Sequence, residues 1–208
     1  MEQILKYNKE ELANTITHGV GLILAVIGSY CLLVKAPNVI KFNAFLWYSY
    51  GCLGVYFAST LYHAIPFHWA KIKRFCQKLD HISIFSMIAG THTPFLFLYL
   101  DNSTGRILFW ILWGLFIIGT IYKLFFFQKL PMLSLITYIG MGWLGLVTIP
   151  LVWSQLPDYV ALFILIGGFF YTAGVYFYRK EEMQYHHAIW HLFVMAGSAF
   201  HFWAIWLL

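Results

Sequence analysis

Residues 186–208 read HHAIWHLFVMAGSAFHFWAIWLL, a run with no Asp, Glu, Lys or Arg. A charge-free stretch of this length is long enough to cross the hydrocarbon core of a bilayer as one α-helix, which needs roughly 20 residues. It is not alone. Uncharged runs also occupy Leu12–Val34, Phe42–Ala70, His81–Leu100, Ile107–Tyr122, Leu130–Pro157 and Tyr159–Tyr178, and the last run begins at Met183. The chain of 208 residues is 61% hydrophobic and 10% charged, whereas soluble domains carry about 25% charge. The composition therefore predicts an integral membrane protein.

The runs are too long for barrel strands and lack period-2 alternation. They predict an all-α bundle of seven transmembrane helices in a single domain spanning 1–208, with helices at about 15–34, 43–66, 80–100, 106–127, 132–153, 159–178 and 184–207. The fourth reaches 127 if Lys123 snorkels to the headgroups. The connections are short, so sequential helices are expected to run antiparallel. No low-complexity linker or internal repeat interrupts them. Glu10 and Glu11 precede the first run without a small-residue cleavage site, so the first helix is expected to be a retained anchor rather than a signal peptide.

Lysine and arginine set the expected orientation. With a cytoplasmic N-terminus, ten basic residues fall inside: Lys6, Lys9, Lys71, Lys73, Arg74, Lys78, Lys123, Lys129, Arg179 and Lys180. Three fall outside, Lys35, Lys41 and Arg106. The positive-inside rule thus predicts the N-terminus in the cytoplasm, the C-terminus outside, and a cell-membrane location. The net charge of +5 suits anionic inner-leaflet lipids as partners. Nucleic acid is not an expected partner, and the oligomeric state is not legible. Cys31, Cys52 and Cys76 form no disulfide framework.

This orientation puts the unusual polar residues in one layer. Glu11, Asn14, Thr17 and His18 open the first run. Ser59 and His63 close the second, Asp80, His81 and Ser83 open the third, and His186, His187 and His191 open the last. His187 and His191 are four apart on one helical face, with Cα atoms roughly 6 Å from each other. That spacing lets both rings bind one metal ion, and His63 is the third ligand by depth. Three imidazoles leave a fourth zinc position open, the arrangement of catalytic rather than structural sites. Asp80, read as the one carboxylate within the helical layer, is then the expected proton acceptor, and Ser59 sits one turn from His63 on the same face of the second helix. His201 lies ten residues beyond His191, ~15 Å along the axis, and cannot join them.

Each feature also has a plainer reading. HxxxH pairs occur as wetted interfacial histidines, and His186 fits that role. Asp80 can cap the third helix, and Asn14 and Thr17 the first. Ser59 can serve small-residue packing, as can Gly140, Gly142 and Gly145. Pro94 is expected to kink the third helix, and His92 to make a hydrogen bond. Ionisable groups in a membrane are costly and face the bundle interior or water, which favours the metal. No Walker loop, GxSxG, CxxC or HExxH competes, and no matched pair of broken helices indicates a transporter.

Six segments carry a family resemblance: ELANTITHGVG (11–21), STLYH (59–63), KLDHISI (78–84), AGTHTPF (89–95), HAIWH (187–191) and GSAFHF (197–202). Together they resemble the hemolysin III branch of the PAQR family, which includes the adiponectin and progestin receptors, across nearly the whole chain. The resemblance implies a seven-helix bundle with an intramembrane Zn2+ near the cytoplasmic face. It implies His63, His187 and His191 as ligands, Asp80 holding the zinc-bound water, and Ser59 as the motif serine. Asn14 and His18 match a first-helix motif with no settled role. The chain departs from the family pattern at His92, where Tyr is the rule. It lacks the long N-terminal domain of the animal receptors, so a hormone-receptor role is not expected. The leading expectation is a zinc-dependent lipid amide or ester hydrolase of ceramidase type, with Asp80 and Ser59 as catalytic residues. The alternatives are a non-enzymatic regulator of membrane lipid homeostasis and fluidity, and the pore-forming cytolysin of the family name.

Overall fold

The computed structural model describes residues 2–127, 129 and 131–208, and of residues 2–8 and 131 the backbone alone. The side chain of Lys6, one of the charges used for orientation, lies outside the described residues. The described residues form helices and no strand: α1 (Glu2–Lys35), α2 (Val39–Ala64), α3 (Ala70–Tyr99), α4 (Ser103–Phe125), α5 (Pro131–Gly142), α6 (Gly145–Val152), α7 (Val160–Tyr178) and α8 (His186–Trp206). Helix is the expected outcome, because lipid offers no partner to backbone N–H and C=O groups and a helix satisfies them internally. Among the described residues, six spans are long and apolar enough by themselves to cross a membrane. The seventh, α2, turns its polar groups inward, with Ser49, Ser59 and His63 buried. The lipid-facing surface is apolar, as on α1 (Ile23, Leu24, Ile27) and α4 (Ile117, Ile118, Ile121). The protein is a multi-pass protein of the cell membrane.

Among the described residues, the seven spans are made by eight α-helices. The fifth span, expected as one helix over 132–153, breaks at Trp143–Leu144 into α5 and α6, and a short 3-10 turn over Trp153–Gln155 follows. Gly142 and Gly145 flank the break, and Pro150 withholds a backbone donor inside α6. α3, by contrast, runs helical through Pro94.

Two helices extend well beyond the uncharged runs. α1 begins at Glu2 rather than near 15, and α3 begins at Ala70 rather than 80. The added turns are rich in Glu, Lys, Leu and Gln, good helix formers that need no apolar environment. This overturns three capping readings: Asn14 and Thr17 lie in the interior of α1, and Asp80 lies ten residues into α3. α4 stops at Phe125, two residues short of the expected end. Lys123 is buried there against aromatic rings, with Nζ 5.5 Å from the Phe127 centroid.

The centre of the bundle is the α2–α3 pair. A side chain at Gly51 would come within 2.6 Å of Ser86 O, and one at Gly90 within 2.6 Å of Trp47 O. These two glycines allow the backbones to meet. Gly140 and Gly142, expected at close helix contacts, have open space where a Cβ would sit, and Gly145 makes only ordinary contacts. α1 closes against α2, α8 packs on α7 and α1, and α4 and α5 lie against α3. Tyr48 and Phe45 fill the core between α1, α2 and α8, and Phe85 and Leu112 the core between α3 and α4.

Candidate metal centre

The last turn of α2 and the first two turns of α8 meet beside α1 and present three imidazoles to one point. Ligand nitrogens of His63, His187 and His191 all lie within 4.8 Å of one another. Ring centroids are 5.0 Å apart for His63–His187, 5.1 Å for His63–His191 and 4.6 Å for His187–His191. His63 and His191 are buried, and His187 is half-buried. Tetrahedral zinc with Zn–N bonds of about 2.0–2.1 Å asks for nitrogens roughly 3.3 Å apart, within reach of small ring rotations.

Hydrogen bonds select the tautomers. His63 Nδ1 donates to Glu11 Oε1 at 3.0 Å, and His63 Nε2 is buried without a partner. His191 Nδ1 lies 3.0 Å from Thr17 Oγ1, whose own proton goes to the carbonyls of Ala13 or Asn14 at 2.9 Å. Thr17 therefore accepts from His191 Nδ1–H, and Nε2 keeps its lone pair. Metal-binding histidines are characteristically oriented this way, by an acceptor on the nitrogen that does not bind.

Glu11 is the largest departure from the sequence reading, which held Asp80 to be the one carboxylate in this layer. Its second oxygen accepts from Lys73 Nζ at 2.5 Å, and Asn14 Nδ2 reaches the first at 3.4 Å. Lys73 was counted as a cytoplasmic loop charge, yet it is 6% exposed. Its ammonium also donates to the carbonyls of Tyr62 and Ile65, both at 3.0 Å. It thus closes the open carbonyl end of α2, where a cation is favoured. The pair is possible because α1 and α3 continue as helix past their uncharged runs. A faint signal existed: Glu11 and His18 are seven apart on one face of α1, as are Lys73 and Asp80 on α3.

Asp80 is half-buried and within electrostatic reach of His63 and Glu11, but outside the cluster of ring nitrogens. Ser59 is buried and approaches the Asp80 carboxyl, and its Oγ meets no partner at full hydrogen-bond geometry. His18 lies flat against His191, with ring centroids 3.5 Å apart at 14°, and both its nitrogens are buried without partners. It is a packing neighbour of the cluster rather than a member. His201 stands apart, as its distance along α8 requires.

The start of α8 is held under strain. Tyr185 precedes His186 with φ 59, a left-handed conformation uncommon for a bulky residue. Its N–H donates to Glu10 Oε1 at 3.3 Å, tying the turn to α1.

Residues 6–202 match the profile of the family described as "Haemolysin-III related". The chain is 38% identical to the protein named Hemolysin-3 of Bacillus cereus, over 99% of this chain and 94% of that one. It is 36% identical to the Hemolysin-3 homolog of Bacillus subtilis (strain 168), over 95% and 93%. It is also 29% identical to the human protein named Monocyte to macrophage differentiation factor, over 95% and 83%.

Proposed function

We propose that this chain, which belongs to the haemolysin-III-related family, is a zinc-dependent hydrolase of lipid amide or ester bonds. The reaction is ceramidase-like and sits beneath the headgroups of the inner leaflet. The observation that carries this reading is the meeting of His63, His187 and His191 at one buried point. The donor set suits zinc. Three neutral imidazoles leave one tetrahedral position open, and the free Nε2 of His63 has no other partner. When bound there, zinc acts as a Lewis acid toward a carbonyl and lowers the pKa of water at the open position.

The chain's own residues supply the rest. Asp80 takes the proton of the attacking water and returns it to the leaving amine or alcohol. Ser59, next to the Asp80 carboxyl, orients it or donates to the developing oxyanion. Glu11 and Thr17 hold the rings of His63 and His191 in register, and Lys73 balances the charge of Glu11. The apolar outer faces of the helices let a lipid approach from the side, and the basic residues gathered near this end support an inner-leaflet placement.

A second reading has one observation in its favour. The three imidazoles join α2 to α8, so a metal there can hold the bundle together without turnover, as suits a regulator of lipid order. The test is zinc content and lipid turnover on the same preparations. The parent protein is expected to hydrolyse a ceramide or a lysophospholipid, and a chelator should stop it. His63→Ala and His187→Ala should lose bound zinc, and Asp80→Asn should retain zinc but not turnover. Full zinc occupancy in either histidine variant overturns the site. Parent-rate hydrolysis by Asp80→Asn removes the proposed base, and zinc without turnover of any lipid leaves the second reading standing.

A further inference from the structure

The start of α3 and the end of α4 enclose an open cavity of about 280 Å³, at the end of the bundle that carries most of the basic residues. Its described walls are Arg74, Gln77 and Lys78 from the first turns of α3, and Phe125 and Phe127 from the end of α4 and just past it. Gln77 and Lys78 follow Arg74 by three and four residues, so helical geometry sets all three on one face. The neighbouring Lys73 spends its charge elsewhere, on Glu11. Asp80, two residues past Lys78, lies on the opposite side of the helix from it.

The polar groups of this wall are donors with capacity to spare. Arg74 is exposed, and among the described residues its guanidinium enters no ion pair. Lys78 Nζ donates to Leu124 O at 2.6 Å, which fixes the ammonium beside α4 and leaves it two more N–H groups. Gln77 Nε2 donates to Tyr62 OH at 3.2 Å, which holds the amide in place and leaves its second N–H. Among the described residues no Asp or Glu lines the cavity, so its two positive charges are not offset there.

An occupant that meets these groups is an anion with several acceptor oxygens. Phosphate fits: the guanidinium fork takes two of its oxygens and the ammonium a third. The apolar part of the wall decides which phosphate. Phe125, the last residue of the α4 span, is exposed, and so is Phe75 beside Arg74. The cavity therefore opens where a span ends, at headgroup depth, and hydrocarbon reaches its lip. A soluble phosphate leaves that lip bare, whereas the glycerol and upper acyl carbons of a phospholipid cover it. A zwitterionic headgroup would bring its own cation beside Arg74 and Lys78, with no carboxylate to receive it. We propose that Arg74, Gln77 and Lys78 bind the phosphate of an anionic glycerophospholipid, with Phe125 and Phe127 against its glycerol and acyl chains. General attraction of basic segments to an anionic leaflet needs charge alone, whereas this site needs these side chains in these places. It depends neither on a metal nor on hydrolysis at the three-histidine cluster.

The test is equilibrium binding of ether-linked phosphatidylglycerol, which has no ester or amide to cleave, to the delipidated full chain in a non-ionic detergent. Arg74→Gln/Lys78→Gln is expected to bind it about 10–100-fold more weakly than the parent. Arg74→Gln alone breaks no ion pair among the described residues and should still cost on the order of tenfold. Lys71→Gln/Arg179→Gln removes the same charge from the same end of the bundle, outside the cavity, and should bind as the parent does. Parental affinity in the Arg74 and Lys78 double variant overturns the proposal. An equal loss in the Lys71 and Arg179 variant also overturns it, by reducing the site to bulk charge. Ether-linked phosphatidylcholine or glycerol 3-phosphate binding as tightly as phosphatidylglycerol removes the anionic lipid as the occupant.

Discussion

Glu11 Oε1 lies 3.0 Å from His63 Nδ1, a contact between residues 52 positions apart. Through it a carboxylate nine residues into α1 decides which nitrogen of a histidine at the end of α2 is free to bind a metal. The other oxygen of Glu11 is held by Lys73 from α3, so one side chain joins three helices at the edge of the cluster.

Removing one member of that ion pair leaves the other, largely withdrawn from solvent, without its counter-ion. Glu11→Ala and Lys73→Ala are each expected to destabilise the protein by on the order of 3 kcal/mol. Glu11→Gln, which keeps an acceptor for His63, should weaken zinc binding less than Glu11→Ala, whose loss is expected at about 10–100-fold. Thermal unfolding in detergent and zinc titration check both. A stable Glu11→Ala protein with parental zinc affinity would show that the contact has no role in orienting His63.

Thr17 sets the tautomer of His191 by the same logic. Thr17→Val preserves shape but removes the acceptor for Nδ1–H, and zinc affinity is expected to fall by roughly 10-fold or more. Thr17→Ser should restore it. Competition against a chromophoric chelator measures the difference, and identical affinities for Val and Ser would refute the assignment.

The α2–α3 contact predicts a contrast among glycines. Gly51→Ala and Gly90→Ala place a methyl against backbone carbonyls that cannot swing aside, and each is expected to cost about 1–3 kcal/mol. Gly140→Ala meets open space and should leave the melting temperature unchanged or slightly higher, since Ala is the better helix former. Melting curves of the three variants decide. Equal losses at Gly51 and Gly140 would mean that the close approach of α2 to α3 is not limiting.

The bundle was legible in the sequence for a physical reason. A chain inside lipid must satisfy its backbone within each span, so long uncharged runs such as 12–34 and 159–178 can hardly be anything but helices. The HxxxH spacing of His187 and His191 was legible because helical geometry is local. The helix ends were not. Charged turns at the starts of α1 and α3 read as loops because hydropathy is silent where good helix formers meet water, and that silence hid Glu11, Lys73 and the interior position of Asp80. The break at Trp143–Leu144 was missed because glycines within an apolar run signal close packing as readily as an opening.

By itself, then, the sequence determined that the protein crosses the membrane as a helical bundle, and which residue types it carries into the bilayer. Tertiary structure alone decided which of them meet. Whether Glu11 reaches His63, whether Thr17 reaches His191, and whether Arg74 and Phe125 share a cavity depends on how separate helices rotate and pack. Those rotations are set by close contacts such as Gly51 on Ser86 and Gly90 on Trp47, which arise between distant segments and leave no trace in the pattern of any one of them.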